Sequence, residues 1–539
     1  MPEYLAPGVY TEEISTGPVP IEGVSTSTAG FVGLTERGPT TVRLVTSLRD
    51  FQRWYGGIVD PETVSYLPFA VKGFFDNGGQ RLFISRVTRP NAAASSLTLA
   101  TDGTGLVVEA VGPGDLDDRL FVRVVPATRT LSADLLPAGS PPTSDPTRFR
   151  LQIAYYATAP PLPLVDPFDR GELRNPDRRE PAASEDWDNL TSDPLSGDYV
   201  VTVLQASQLV TTGPDAPGLP AAVGWTPLAD GADGDPMTAA ALVGTELPPT
   251  GLASLRQIDE ISLLCVPDEV NAQLFPNQAD RDEIRTQLVV QCEELKDRFA
   301  VLQVDRGKDR VDTILPPVTS SYAAIYYPWL RVLDSRTNNT RLVPPGGHMV
   351  GIYAKTDIAR GVHKAPANVE VMGIMQRDLP GDRKPLEYLV NKRQHDILNP
   401  RGINVVRDFR ADRRGIRVWG ARTLAADAQW KYVNVRRLFI FVEESIDEGV
   451  QWVVFEPNSE PTWDRVRRSI SNFLDSVWRS GALMGSLAEE AFYVRCDRST
   501  MTQQEIDTGQ LVCYIGMAPV KPAEFVVLRY SQKTADAES

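Results

Sequence analysis

Apolar and polar positions change period several times along the chain, and each change marks an element. Ala29-Gly30-Phe31-Val32-Gly33-Leu34 is a continuous strand-like run. Ser47 to Tyr55 reads as a short helix with Ser47 as its N-cap. Tyr66 to Phe75 reads as a second helix, stopped by Asn77-Gly78-Gly79, and Arg81 to Val87 as a strand. Further on, Ile261-Ser262-Leu263-Leu264-Cys265-Val266 suits a strand buried on both faces. Ile284, Leu288, Cys292, Leu295 and Phe299 then recur at helical spacing, followed by strand-like Ala300 to Val304 and Tyr322 to Tyr327. Strand, helix, strand in this order predicts a parallel sheet with helical crossovers.

The last stretch of the chain predicts strands at Val405-Val406, Ile416 to Val418 and Leu438 to Val442. It also predicts one amphipathic helix opened by Pro461 and closed by Gly481. Trp463, Val466, Ile470, Phe473, Leu474, Val477 and Trp478 fall within an arc of about 140° on a helical wheel. Arg465, Arg468 and Arg479 gather on the opposite face. Two more strand-like runs, Leu511 to Ile515 and Glu524 to Tyr530, precede a polar tail.

Two regions break the alternation. Pro2, Pro7, Pro18 and Pro20 exclude a helix at the start, and Gly8-Val9-Tyr10-Thr11-Glu12-Glu13-Ile14 between them reads as a strand with no local partner, an arm. Residues 91–236 are rich in Pro, Gly, Ala and Asp, with loop-like stretches at 136–150 and 157–197 and strands expected at Leu120 to Val125 and Tyr199 to Leu204. This texture predicts an inserted β-rich domain, ended by the turn-forming Asp230-Gly231-Ala232-Asp233-Gly234-Asp235-Pro236.

Bulk properties narrow the function classes. A length of 539 residues implies about two to four domains. With 42% apolar and 23% charged residues the balance is that of a globular protein, and no apolar run reaches the length of a membrane span. Met1-Pro2-Glu3-Tyr4 lacks the basic and apolar regions of a leader, so cytoplasmic folding is expected. A net charge of −15 opposes general nucleic-acid binding, although residues 393–437 are rich in arginine. That asymmetry suits contacts between protein subunits.

Catalytic signatures are missing. The chain carries no P-loop, no dinucleotide fingerprint, no HExxH and no G-x-S-x-G elbow. Cys265, Cys292, Cys496 and Cys513 are scattered, with the first two on apolar faces. The three histidines, His348, His363 and His395, stand in no recognisable catalytic setting, and His348 after Pro344-Pro345-Gly346-Gly347 is expected at a turn. No catalytic residue, cofactor or metal site is therefore expected.

Longer motifs carry a resemblance. Pro7 to Glu13 and Ile21-Glu22-Gly23-Val24-Ser25-Thr26-Ser27, Gly73 to Gly79, and Val343-Pro344-Pro345-Gly346-Gly347 through Lys364-Ala365-Pro366-Ala367-Asn368 resemble the contractile tail sheath proteins of phages, R-type bacteriocins and extracellular contractile injection systems. So do Asn399-Pro400-Arg401-Gly402-Ile403-Asn404, Val418-Trp419-Gly420-Ala421-Arg422-Thr423, the run from Asn434 through Phe455-Glu456-Pro457-Asn458 to Trp463, and Pro519 to Phe525. The likeness covers roughly residues 1–90 and 236–531 and is loose between 91 and 235.

The resemblance implies a mixed α/β, α+β multidomain chain with a subtilisin-like α/β core and no protease activity. The expected regions are an N-terminal arm (1–25), a first core segment (26–90), an inserted β-rich outer domain (91–235), the α/β core (236–400), a C-terminal α+β sheath domain (401–522), and a C-terminal strand arm and tail (523–539). It implies hexameric rings stacked around an inner tube protein, with baseplate and tail-terminator or cap proteins as further partners, and neither nucleic-acid binding nor membrane insertion. The inter-subunit strands are expected at Gly8, Val9, Tyr10, Thr11, Glu12, Glu13 and Ile14 and at Phe525, Val526, Val527, Leu528, Arg529 and Tyr530. Arg465, Arg468 and Arg479 are the expected tube contact. The alternatives are a non-contractile structural or binding protein of the same particle and a subtilisin-like hydrolase.

Overall fold

The computed structural model describes residues 20–131, 143–213, 217–378, 380–381 and 383–529. They form two compact units, one made of residues 26–359 and 365–433, the other of the described portions of 1–25, 360–364 and 434–539.

The larger unit opens with β1 (Thr28–Gly33), β2 (Arg43–Val45), α1 (Leu48–Tyr55), α2 (Leu67–Asp76) and β3 (Arg81–Arg86). The Ser47 hydroxyl accepts from Asp50 N–H, the expected cap of α1. An antiparallel region follows: β4 (Ser96–Leu99), β5 (Leu106–Ala110), β6 (Leu120–Pro126), β7 (Phe149–Tyr155), β8 (Ala183–Leu190), α3 (Val200–Val203), β9 (Val210–Thr212) and β10 (Val223–Pro227). Its strands make a three-stranded sheet, β4-β5-β9, and a four-stranded sheet, β10-β6-β7-β8. Leu106, Val108, Leu120, Val122, Leu151 and Ile153 contribute to their common core.

The chain then returns through α4 (Ala239–Val243), β11 (Leu263–Cys265), α5 (Gln278–Leu295), β12 (Phe299–Gln303), β13 (Ala323–Tyr327), the hairpin β14 (Leu330–Asp334) and β15 (Asn339–Val343), α6 (Gly346–Arg360), α7 (Lys392–Leu398), β16 (Ile403–Asp408) and β17 (Ile416–Val418). Eight strands form one sheet in the order β17-β16-β13-β12-β11-β1-β3-β2. The six inner strands run parallel, and β17 and β2 close the edges antiparallel. Every residue of β1, β11, β12 and β13 is buried, which is why these segments read as unbroken apolar runs. This is a mixed α/β fold.

The smaller unit holds α8 (Val433–Val450, all but its first residue), α9 (Glu460–Arg479), α10 (Ala488–Ala491), β18 (Phe492–Arg495), α11 (Gln503–Asp507) and β19 (Tyr514–Met517). Its core joins Leu438 and Val442 of α8 to Trp463, Val466, Ile470, Phe473, Leu474 and Val477 of α9.

Several expectations are corrected. Leu438 to Val442 is helical, inside α8. The first turns of that helix are buried on all sides, and such a helix gives the same continuous apolar run as a buried strand. Tyr199 to Leu204 is also helical, with Val203 N–H donating to Tyr199 C=O despite three valines that favour strand. β8 lies in a stretch expected to be loop, because Ser184, Glu185, Asp186 and Asp188 hide its strand character. The expected start of a C-terminal domain at 401 falls inside the large sheet, since β16 and β17 belong to it; the compact units part at 433. The strand expected at Leu511 to Ile515 begins at Tyr514. His348 is in the first turn of α6 and buried, not at a loop turn.

Candidate assembly surfaces

The motifs that carry the resemblance turn out to be packing devices. α2 and α6 meet almost backbone to backbone: a Cβ on Gly347 would lie 2.4 Å from Ala70 Cα, and one on Gly351 2.4 Å from Phe74 O. The buried Asn404 side chain ties β16 to the segment after β17. Its Nδ2 donates to Ile325 O (3.2 Å) and Arg422 O (2.8 Å), and its Oδ1 accepts from Arg422 N–H (2.7 Å). Asn458 does the same in the smaller unit, accepting from Trp463 Nε1 (2.7 Å) and donating to Gln510 O (2.9 Å). These residues hold the fold together.

Three wholly buried ionisable side chains of the larger unit are shifted by their burial. Asp268 accepts from Ser65 Oγ and from Tyr66 N–H, yet full burial pushes its carboxyl up to about 6. Glu269 accepts from Gln303 N–H and Nε2 with Arg285 at 4.0 Å, and burial pushes it up to about 7. Burial holds His348 near 3, so its imidazole is neutral.

The expected arm segments and the expected basic face lie in the smaller unit. Residues 21–24 run along α8: Val24 N–H donates to Ser445 Oγ (3.1 Å), and a Cβ on Gly23 would lie 2.8 Å from the Phe441 ring. The N-terminal segment is thus moored at its base to this unit. Gly8 to Ile14 lie outside the described residues. At the other terminus Phe525, Val526, Val527 and Leu528 are 69–77% exposed and belong to no strand, and Arg529 is exposed as well. Tyr530 lies outside the described residues.

Between these segments stands the antiparallel pair β18–β19. Neither strand has a second strand partner among the described residues. An isolated two-stranded ribbon is marginal in water, and its outer edges offer unpaired N–H and C=O groups. Sequence reasoning missed strand β18; the signal was the alternation Phe492-Tyr493-Val494-Arg495, with exposed Tyr493 and Arg495 between partly buried neighbours.

On α9, Trp463 to Val477 face the core as expected, and Arg465, Arg468 and Arg479 lie outside it. Two of the three are already paired. Arg465 reaches Glu456 (2.9 Å) and lies over the Trp452 ring at 4.6 Å, and Arg479 reaches Asp475 (2.8 Å). Arg468 donates to Asp464 O (3.2 Å) and has no carboxylate partner among the described residues.

Residues 253–424 match the phage tail sheath protein central domain, and residues 425–533 match the phage tail sheath C-terminal domain. Together they span more than half of the chain, which belongs to the phage tail sheath family. Relatives include the tail sheath protein of Burkholderia phage BcepMu, 28% identical over 38% of this chain and 42% of that protein. That of Vibrio phage KVP40 is 26% identical over 41% of this chain and 31% of that protein. The chain matches less than half the length of these relatives. Among solved structures, the helical sheath of the anti-feeding prophage in its contracted state superposes with a TM-score of 0.57 at 24% identity, covering 98% of this chain and 100% of that one. The contracted PVC sheath complex, from an extracellular contractile injection system, gives 0.56 at 22% identity, covering 99% of each. At these identities the likeness establishes the shared fold.

Proposed function

We propose that this chain is the structural sheath subunit of a contractile, phage-tail-like particle, stacking as hexameric rings around an inner tube and contracting to drive the tube through a target envelope. The observation that carries this reading is the presence, within one unit, of both an exposed apolar segment (Phe525–Leu528) and a sheet that has only two strands among the described residues. Each is unfavourable alone, and each supplies what the other lacks. A strand from one subunit, residues 8–14 or 524–530, adds to the β18–β19 sheet of a neighbour and satisfies backbone groups across the interface. A rotation between subunits that does not close then gives an open helical lattice.

Contraction is a rigid-body reorientation of subunits, with the arms as tethers. New burial between subunits in the contracted lattice supplies the work, so no nucleotide or other cofactor is required. The Arg465, Arg468 and Arg479 face touches the inner tube in the extended state. Baseplate and terminator proteins cap the two ends, and assembly takes place in the cytoplasm.

The test is to express the full chain and image it by negative-stain electron microscopy. Hollow helical tubes or ring stacks are expected, and removal of residues 1–20 abolishes them. Compact monomers at high concentration that also fail to assemble when co-expressed with the tube protein would overturn the reading.

A further inference from the structure

Cys496 and Cys513 stand at the open end of the β18–β19 ladder. The ladder pairs Phe492 with Met517, Tyr493 with Gly516, Val494 with Ile515 and Arg495 with Tyr514. One rung further, the same register sets Cys496 opposite Cys513. Ala518 N–H donates to Ala491 O, so 491–518 is a hydrogen-bonded rung, and alternation makes 496–513 a non-hydrogen-bonded one. Residues in such rungs share a face and have Cα atoms about 4.5 Å apart, within the span of a disulfide. The two thiols lie within hydrogen-bonding reach of each other.

Their surroundings differ in a useful way. Cys513 is partly exposed and Cys496 is buried. The hydrogen bond between them pulls the Cys513 thiol below its ordinary value and pushes that of Cys496 up, so Cys513, the partly exposed one, is the thiol that meets a reagent first. Cys265 and Cys292 are fully buried, out of reach of a reagent, whereas Cys496 is reached through the mixed disulfide on Cys513 beside it.

We propose that Cys496 and Cys513 are a dithiol that closes to an intramolecular disulfide by exchange with a low-molecular-weight disulfide. The Cys513 thiolate attacks one sulfur of the small disulfide, forming a mixed disulfide and expelling one small thiolate. The Cys496 thiolate then attacks Cys513 Sγ and expels the second. The protons of the two protein thiols end on the two released small thiols. The protein dithiol loses two electrons and the small disulfide gains them.

Closure ties together the two ends of the segment 497–512 and pins the last rung of the ribbon. In a thiol-rich compartment the pair stays open, and outside it the pair closes. Pinning that rung would steady the edge that receives a neighbour's strand, a consequence that rests on the sheath reading above; the thiol chemistry does not.

The test treats the reduced full-length chain with oxidised glutathione, then counts thiols in denaturant and maps peptides. Thiols are expected to fall from four to two, with a 496–513 linked peptide that dithiothreitol reopens. The Cys496→Ala variant is expected to retain a glutathione adduct on Cys513. Four surviving thiols, a lasting adduct on Cys513 of the unaltered chain, or a bridge through Cys265, Cys292 or a second chain would overturn the proposal. Exchange in a chain that never forms tubes leaves the dithiol standing and removes the sheath reading; tubes without exchange do the reverse.

Discussion

Gly73 of α2 and His348 of α6 touch with no room for a methyl group between them: a Cβ on Gly73 would lie 2.5 Å from the imidazole Nδ1. His348 is buried and cannot swing into solvent. A Gly→Ala change inside a helix ordinarily gains about 1 kcal/mol. Here the sign reverses. Gly73→Ala is expected to cost about 1–3 kcal/mol, as overpacking does. The check is a double-mutant cycle on the denaturation midpoint, in which His348→Ala removes most of that cost. Equal costs with and without the imidazole would show that the contact is not the cause.

The buried carboxyls predict a pH dependence with a definite sign. Asp268 and Glu269 hold their protons to about 6 and about 7 in the folded chain, well above the unfolded values near 3.8 and 4.5. The folded state therefore binds more protons across this window. Their contribution to stability is fully present below about pH 4 and is lost as pH rises toward 7. His348, pushed down to about 3 from 6.5, acts in the opposite sense, losing stability as pH falls below 6.5. Glu269→Gln keeps an acceptor for the two Gln303 donors and removes one titration. Urea midpoints measured between pH 4.5 and 8 are expected to show a smaller loss on raising the pH, leaving the variant relatively more acid-sensitive. An unchanged pH profile would contradict the assignment.

Much of this was legible in the chain, for identifiable reasons. Strands buried on both faces, such as Leu263–Cys265 and Ala323–Tyr327, give short unbroken apolar runs, each cut off within two residues by a proline, Pro267 and Pro328, which favours strand over helix. Capped or strongly amphipathic helices, α1 and α9, announce themselves. Leu438–Val442 did not, because the first turns of α8 are buried on all sides and lack the polar face that gives the period away. The glycines at 73, 347 and 351 were visible as motifs, but their meaning, two helix backbones in contact, needs both helices placed. The open edges of β18–β19 were invisible for the same reason, since an unpaired edge is a property of the sheet and not of any residue.

Asn404 is a case where a motif residue can be assigned a cost. It closes three hydrogen bonds in a wholly buried position, to Ile325 O, Arg422 O and Arg422 N–H. Asn404→Ala removes those three hydrogen bonds and is expected to cost about 2–4 kcal/mol, at about 1–1.5 per buried hydrogen bond lost. Asn404→Asp keeps one acceptor but turns an oxygen toward two carbonyls. It is expected to cost at least as much at neutral pH and less in acid, where the carboxyl is protonated and can donate. Chemical denaturation at pH 5 and pH 8 separates the two variants. A loss below about 1 kcal/mol for both would mean that water replaces the side chain.

The basic face of α9 yields a test that turns on which arginines are already engaged. Reversing Arg465 or Arg479 sets a new carboxylate beside Glu456 or Asp475, so each change disturbs the subunit as well as any partner. Arg468 is the cleaner probe. Among the described residues it bonds only the Asp464 carbonyl, and Arg468→Glu adds at most a one-turn repulsion of about 0.2–0.5 kcal/mol within the helix. If this face meets the inner tube, exposed ion pairs of about 0–1 kcal/mol each, repeated around every ring, hold the extended sheath while letting it release. Arg468→Glu is then expected to leave the thermal midpoint within a degree or two and to preserve sheath-only tubes. It should reduce the fraction of tube-filled particles on co-expression, most strongly at low salt, where the reversed charge is least screened. Tube-filled particles in undiminished number at every salt concentration would remove Arg468 from the tube interface and leave the helix face simply solvated.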